Sequence, residues 1–146
     1  MDHRPENPAK TYLRRYRALL IQRDSLQRSI DAAYDRAYSC TQRIKPVHVQ
    51  GGGGVYDRMA DDVTRITDAT EQLRDAKAKV DAALGEILTA INAVPDEMQK
   101  TVLILRYVEG LDWISLADKI GYEISNTYIL HGRALWAVRK WMEEKV

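Results

Sequence analysis

The stretch "EGLDWISLADKIGYEISNTYILHGRAL", residues 109–135, contains the signals of two helices separated by one sharp turn. Asp112 can cap a short helix over 113–119, because its side chain can accept from the free N–H groups of the first turn. Gly121 is suited to the turn, since glycine adopts positive φ without strain. A longer helix is then predicted from about Ile124 to Met142. The stretch therefore predicts a short helix and a long helix that cross closely.

A close crossing needs a small residue inside the first helix and a turn residue about four positions later. Ala117 and Gly121 have this spacing, and Leu116 and Leu130 are expected to face inward. Four large side chains are predicted to close a three-helix core beneath them: Tyr107, Trp113, Leu135 and Trp136. Because Ala-x-x-x-Gly occurs in many helical hairpins, a helix-turn-helix assignment depends on the residues on either side.

The residues before this stretch predict a third helix over 96–109. Pro95 suits a helix start, and the acidic Asp96 and Glu97 suit the positive end of the helix dipole. Gly110 is a natural stop. Four apolar residues recur on one face of this helix: Met98, Val102, Leu105 and Val108.

A long apolar stripe precedes Pro95. Eleven positions from Met59 to Val94 follow an unbroken 4-3-4-3 spacing, and nine of them are apolar, as in the seam of a coiled coil. We call these positions the long stripe; Thr70 and Lys77 are its polar members. A single helix, predicted from about Tyr56 to Ala93, cannot bury such a stripe. It is expected to pair with the first helix, with a second copy of the chain, or with both, and the residues predicted for oligomerisation are Met59, Val63, Ile66, Leu73, Val80, Leu84, Ile87 and Ile91.

The N-terminal part also has a helical pattern, from Lys10 to about Arg43. It ends before "IKPVHVQGGGGVYD", where a proline and the glycines 51–54 disfavour regular structure. We therefore predict an all-α fold in two regions. Residues 1–94 form a helical hairpin or coiled-coil oligomerisation region with a flexible Gly-rich loop over 45–55, and residues 95–146 form the helix-turn-helix domain.

Composition limits the classes of function. Apolar residues make up 45% and charged residues 29% of the 146 residues, which is typical of a folded, soluble chain. The single Cys40 excludes an internal disulfide, and no run of apolar residues predicts a signal peptide or a membrane span. We expect a cytoplasmic protein without membrane contact. His3, His48 and His131 lack partners at metal-ligand spacing, so neither a metal, a cofactor nor an enzymatic activity is expected.

Residues 94–141 resemble the DNA-binding region 4 of sigma-70-type bacterial factors. The similar segments are "VPDEMQ", "LRYVEG", "LADKIGY" and "ISNTYILHGRAL". With "HGRAL" and the helical N-terminal half, the chain looks like the sigma-like transcriptional regulators of phages and prophages, the ArpU/RinA-like group. Two positions depart from that pattern: Glu123 stands where a capping Ser is usual, which suggests that Ser125 caps instead, and Ile129 stands where a basic residue is frequent.

The resemblance implies that the second helix enters the major groove of double-stranded DNA in a bacterial host cell. Asn126 is suited to pair with adenine, and Ile124 or Ile129 to pack on a thymine methyl group. The expected base-facing residues are Ile124, Ser125, Asn126, Tyr128 and Ile129, with Arg133 further along; the candidate phosphate contacts are Lys119, Tyr122, Arg133 and Arg139. Alternatively, Tyr128 and Ile129 belong to a helix–helix interface.

Charge separates the remaining hypotheses. Residues 1–50 hold ten Lys or Arg against five Asp or Glu, whereas 95–146 hold seven against eight. One copy should therefore neutralise few phosphates and bind DNA weakly. We expect a dimer, which would present two recognition helices to the DNA. The basic N-terminal helix can add contacts or can simply be solvated; its arginines are Arg14, Arg15, Arg17, Arg23 and Arg28. The alternatives to a transcriptional regulator are a phage small terminase subunit, which recognises packaging DNA, and a protein-interaction module that contacts RNA polymerase.

Overall fold

The computed structural model describes residues 5–43 and 53–145, with side chains placed over 5–39 and 58–145. The described residues are helical, with no strand among them, which confirms the all-α class. The elements are α1 (Pro8–Arg43), α2 (Gly53–Asn92), α3 (Glu97–Leu103), a π-helical segment (Ile104–Val108), α4 (Trp113–Ile120) and α5 (Ile124–Glu144). None of these described helices combines the length and the apolar character needed to cross a membrane.

The two long helices begin earlier than predicted. Pro8 is the first residue of α1, and the side chain of Asn7 accepts a hydrogen bond from the Ala9 N–H at 3.0 Å, which caps the helix. α2 begins at Gly53, so Gly53 and Gly54 are helical although glycines were expected to disfavour regular structure here. Adding a residue to an existing helix costs little, about 1 kcal/mol more for glycine than for alanine. Of the predicted loop over 45–55, residues 45–52 lie outside the described residues.

The chain divides into two compact units whose limits differ from the predicted boundary at 94/95. The first unit contains the described residues of Met1–Leu20 together with those of Val80–Val146, and the second contains those of Ile21–Lys79. The reason lies in the core of the first unit. Leu13 of α1 and Ile91 of α2 are buried in the same cluster as Val138 of α5, so the core of the C-terminal helices includes the N-terminal residues.

The core of the first unit has two clusters. The larger contains residues of α1, α2, α3, the π-helical segment and α5, and the smaller consists of Val102, Leu105 and Leu116, with Leu130 packed against it. Leu116 and Leu130 therefore face inward as predicted.

Of the four large side chains expected in this core, Tyr107 and Leu135 are buried, and Trp113 packs half-buried against the smaller cluster. Trp136, in contrast, is 64% exposed, so its predicted place in the core is wrong. Ala134, Leu135 and Val138 occupy the inward positions of this part of α5, which turns position 136 toward solvent.

The helix predicted over 96–109 widens in its second half. The Glu109 N–H donates to the Ile104 carbonyl at 3.0 Å, five residues back, instead of the usual four. Gly110 then ends the segment with φ +76°, as the sequence predicts. A Cβ added to Gly110 would lie 2.5 Å from the guanidinium of Arg17, so α1 approaches the backbone closely at this point.

The second unit buries few apolar side chains. Ile30 of α1 and Leu73 of α2 are buried there. Several large apolar residues of this unit remain exposed: Ile21, Tyr34, Tyr38, Met59 and Val63.

Burial narrows the predicted oligomerisation surface. Val80, Ile87 and Ile91 are 3% exposed or less within their own chain, and Leu84 packs half-buried against the same cluster, because α1 and α5 cover this end of the long stripe. These four residues are therefore not available as a free seam, contrary to the prediction. Leu73 is also buried. Of the predicted set, Met59 and Val63 remain exposed and Ile66 remains partly exposed.

Candidate nucleic-acid interface

α4 and α5 are joined by a three-residue turn. The Asp112 carboxylate accepts hydrogen bonds from the Ser115 N–H at 2.8 Å and from the Ser115 hydroxyl at 3.1 Å, which confirms its role as the cap of α4. The same hydrogen bonds lower the pKa of Asp112. Gly121 ends α4 with φ +75°, and its N–H donates to the Ala117 carbonyl at 3.0 Å. This turn sets where α5 starts.

α5 begins at Ile124, as the helical pattern predicts, and not after Ser125, as the departure at Glu123 suggested. Glu123 occupies the N-cap position but makes no side-chain capping hydrogen bond. Both the N–H and the hydroxyl of the buried Thr127 donate to the Glu123 carbonyl, each at 2.9 Å. These bonds fix the first turn at Glu123. Ser125 is therefore the second residue of the helix and does not cap it, so the expected later start is wrong.

Every residue predicted to contact DNA is exposed to solvent in the free chain. Ile124, Tyr128 and Ile129 are 40%, 48% and 52% exposed, which is unusual for large apolar side chains. Tyr128 touches the ring of Trp113, and no helix of the described chain covers Ile129. The complete exposed set is Lys119, Tyr122, Ile124, Ser125, Asn126, Tyr128, Ile129, Arg133 and Arg139.

Three of these residues share one side of α5. Asn126, Ile129 and Arg133 are spaced i, i+3 and i+7, which places them on one helix face. We call this set the reading face. The opposite side of α5 is buried in the first unit through Thr127, His131, Ala134, Leu135 and Val138. The helix is thus anchored along one side and leaves the reading face uncovered.

Acidic side chains pair with two of the three cations predicted to contact phosphate. Lys119 Nζ lies 3.4 Å from a carboxylate oxygen of Glu109, and Arg139 Nε lies 3.1 Å from one of Glu143. Arg133 forms no ion pair with a carboxylate of the described residues. Because exposed pairs contribute only about 0–1 kcal/mol, a phosphate can replace either carboxylate.

The arginines of α1 are mostly engaged within the chain. Arg14 pairs with Glu6, and Arg15 Nη1 lies 3.1 Å from a Glu86 oxygen. The Arg17 guanidinium lies against Gly110, with Nη1 3.5 Å from the Val108 carbonyl oxygen. In the second unit, Arg23 pairs with Asp24 at 2.9 Å. These contacts favour a solvated, internally paired helix face over a basic strip that follows DNA.

An aromatic cluster supports the inner side of α5. The Tyr107 hydroxyl and His131 Nε2 are hydrogen-bonded at 2.7 Å. The Trp113 ring lies 4.6 Å from the His131 ring and 4.9 Å from the Tyr128 ring, between centroids. The Arg106 guanidinium lies 4.5 Å from the Trp113 ring centroid, and its Nη1 donates to the Leu111 carbonyl at 2.8 Å. His131 is therefore packed inside the first unit, with Tyr107 as its hydrogen-bond partner.

Burial changes the protonation of this cluster. Burial lowers the pKa of His131 to about 4, with further lowering by the positive charges of Lys10, Arg106 and Arg14. Burial also raises the pKa of Tyr107 to about 12. The hydrogen-bonded pair is therefore neutral near pH 7, as a buried pair without a counter-charge should be.

A groove beside the exposed Trp136 was not predicted. It has a volume of approximately 580 Å³, and its walls include Pro95, Gln99, Arg133, Trp136, Lys140 and Trp141. The Lys140 ammonium lies 5.6 Å from the Trp136 ring centroid. Sequence reasoning missed this groove because it assigned Trp136 to the core.

Over residues 5–43 and 53–145, no group of three or more His, Cys, Asp or Glu side chains is placed to hold a metal ion. In comparisons with known proteins, no family model matches the chain, and neither a curated protein nor a solved structure matches it.

Proposed function

We propose that this chain is a sequence-specific, DNA-binding transcriptional regulator of phage or prophage type. In this proposal α4 and α5 form a sigma region 4-like helix-turn-helix, and α5 enters the major groove of double-stranded DNA. One observation carries the proposal: α5 is anchored along one side, while the reading face of Asn126, Ile129 and Arg133 is exposed. A helix that reads bases must present such a face.

The anchoring of α5 supports the proposal energetically. Ordering a loop or a side chain on binding lowers affinity, so a recognition element gains when it is rigid beforehand. The buried Thr127, His131 and Val138 hold α5 over more than three turns. Trp113 and Arg106 extend this support to the residues before α4. The reading face therefore needs little rearrangement to meet a groove.

Affinity requires more than one copy. Each neutralised phosphate contributes about 0.9 to the slope of log affinity against log salt. One copy offers Lys119, Arg133 and Arg139, and two of these have acidic neighbours. In this proposal two copies pair through the second unit, where Met59, Val63 and Tyr34 are exposed. Two helices then reach two half-sites, and the affinity multiplies.

The test is an anisotropy titration of the full chain against duplex DNA from upstream of its own operon, at several salt concentrations. The double variant Asn126→Ala/Arg133→Ala should bind at least about tenfold more weakly, since each lost base contact costs about 1–3 kcal/mol. Arg65→Ala, which removes an exposed cation of α2, is the control and should change little. Unchanged affinity in the double variant, or binding that is blind to sequence and insensitive to salt, would reject the proposal.

The groove beside Trp136 favours one second candidate, a module that binds RNA polymerase or another protein. An indole that is 64% exposed, with Arg133 and Lys140 beside it, has the composition of a protein-binding hot spot. Trp136→Ala separates the two functions when binding to DNA and to purified RNA polymerase is measured in parallel. This candidate would be favoured over the regulator if Trp136→Ala lost binding to RNA polymerase and neither the wild-type chain nor the variant bound DNA.

A further inference from the structure

The first turns of α5 have no charged side chain. From Ile124 to Gly132 there is neither Lys, Arg, Asp nor Glu, and Arg133 is the first charge of the helix. The most frequent contact to guanine uses Arg or Lys, and the contact to the cytosine amino group uses Asp or Glu. The part of α5 that would enter deepest into the groove lacks these groups. It offers a carboxamide, two hydroxyl groups and apolar surface.

The order of groups along the reading face is specific. Asn126 and Ile129 are three residues apart, which is about 4.5 Å along the helix axis, close to one base-pair step of about 3.4 Å. The side chain of Asn126 makes no hydrogen bond to another described residue, so both its carbonyl oxygen and its amino group are free for a base edge. Ile129 lies beside it and is 52% exposed. A polar contact and an apolar contact are thus placed on neighbouring base pairs.

Only one of the two exposed isoleucines of α5 lies on this face. At about 100° per residue, Ile129 is about 60° around the axis from Asn126, whereas Ile124 is about 160° from it. The side chain of Ile129 is 52% exposed, so an approaching groove can reach it. Ile129, and not Ile124, is therefore positioned to reach the base next to the one that Asn126 contacts.

We infer that the DNA site contains adjacent A·T pairs, in which Asn126 binds an adenine and Ile129 packs on the C5-methyl group of the neighbouring thymine. The inference rests on the proposed function and adds the class of sequence that is bound. Thymine alone presents a methyl group in the major groove, and Asn matches the N6 and N7 groups of adenine. A basic residue at position 129 would make a hydrogen bond to the DNA, whereas the apolar Ile129 can only bury the methyl group.

The test uses the full chain and a random duplex library from which bound sequences are enriched. The best duplex is then prepared with deoxyuridine in place of thymidine, one position at a time, which removes only the methyl group. The deoxyuridine substitution at one of these positions should weaken binding about fourfold, the value expected for the loss of one buried methyl group. Ile129→Ala should bind the thymidine and deoxyuridine duplexes equally, whereas Ile124→Ala should keep the discrimination; circular dichroism checks that both variants fold.

Each outcome has a distinct meaning. If the chain enriches a site but no deoxyuridine substitution matters, this inference is overturned while the proposed function stands. If discrimination disappears in Ile124→Ala and persists in Ile129→Ala, the assignment to Ile129 is overturned. If no sequence is enriched at all, the proposed function itself fails, and this inference fails with it.

Discussion

The Tyr107 hydroxyl and His131 Nε2 lie 2.7 Å apart in the interior of the first unit, where they connect the π-helical segment to α5. His131 follows the reading-face residue Ile129 by two positions and points to the opposite, buried side. The pair therefore stabilises the fold and, at the same time, holds α5 in the orientation that exposes the reading face. Because protonation of His131 would place a charge in this buried pair, its effect on stability can be measured as a dependence of the free energy of unfolding on pH.

Acidification should destabilise the protein through His131. The pKa is about 4 in the folded state and near 6.5 in the unfolded state, so the unfolded state binds a proton that the folded state does not. The stabilisation is present above pH 6.5 and is lost as the pH falls toward 4. Between pH 7 and pH 5 the free energy of unfolding should fall by about 2 kcal/mol from this group, as measured by urea denaturation.

His131→Gln is the matched control, because it keeps a hydrogen-bonding group beside Tyr107 but does not titrate in this range. The variant should show a shallower dependence of stability on pH over the same interval. An identical dependence in the two proteins would exclude His131 as the cause.

Gly110→Ala should destabilise the chain, and Gly85→Ala should not. At φ +76° an alanine costs about 1–2 kcal/mol, and its Cβ would also displace the Arg17 guanidinium. Gly85 lies inside α2 with no heavy atom within 4 Å of where a Cβ would be, so alanine there should add up to about 1 kcal/mol. Thermal melts of the two variants should shift in opposite directions, and equal shifts would contradict the role of Gly110.

Glu123→Ser should strengthen both the fold and DNA binding. Glu123 is the N-cap of α5 but makes no capping hydrogen bond, and serine at this position should stabilise the helix by about 1 kcal/mol. Removal of the negative charge beside the expected DNA surface should raise affinity as well. Glu123→Gln separates the two effects, since it removes the charge without adding a good cap. A rise in affinity without a rise in melting temperature for Glu123→Ser would show that the cap did not form.

Removal of two competing carboxylates should raise DNA affinity at low salt. Glu109 and Glu143 pair with Lys119 and Arg139, so Glu109→Gln and Glu143→Gln free these cations for phosphates. An increase of a few fold is expected for each, because exposed pairs contribute at most about 1 kcal/mol. Glu144→Gln removes the same charge near the end of α5, where Glu144 has no ion pair with another described residue, and should have a smaller effect. An equal effect of all three variants would indicate general repulsion instead of competition.

Oligomerisation should depend on the exposed end of the long stripe. Met59→Glu and Val63→Glu should shift the sedimentation equilibrium toward the monomer, because each places a charge on an apolar contact. Arg65→Glu changes an exposed residue of the same helix off the stripe and serves as the control. A wild-type chain that remains monomeric at all concentrations would contradict the proposed dimer. Eight or more copies would favour the small terminase alternative.

Local signals in the sequence were sufficient for most helix limits. Asp112, Gly110 and Gly121 act within one turn of their own positions, so their roles as cap and stops were predictable. The start of α5 at Ile124 was also predictable, but the capping role suggested for Ser125 was wrong, because two hydrogen bonds from the buried Thr127 to the Glu123 carbonyl fix the first turn. Capping preferences are worth about 1 kcal/mol, and burial of one side chain can exceed that.

The long stripe shows the limit of periodicity as a predictor. Its apolar spacing indicates that one face must be covered, but it contains no information on which residues cover it. In the structure α1 and α5 bury Val80, Ile87 and Ile91, while Met59 and Val63 stay exposed. The exposure of Trp136 and the pairing of Tyr107 with His131 are likewise products of contacts between residues far apart in the chain.

The order of residues along the chain was thus enough to specify an all-helical protein, the turn between α4 and α5, and the uncharged character of the first turns of α5, since each depends on near neighbours alone. Which side of α5 is buried and which apolar residues of α2 stay exposed were settled only when the helices packed. Burial is a property of the assembled chain, because a side chain leaves water only when residues distant in sequence come to cover it.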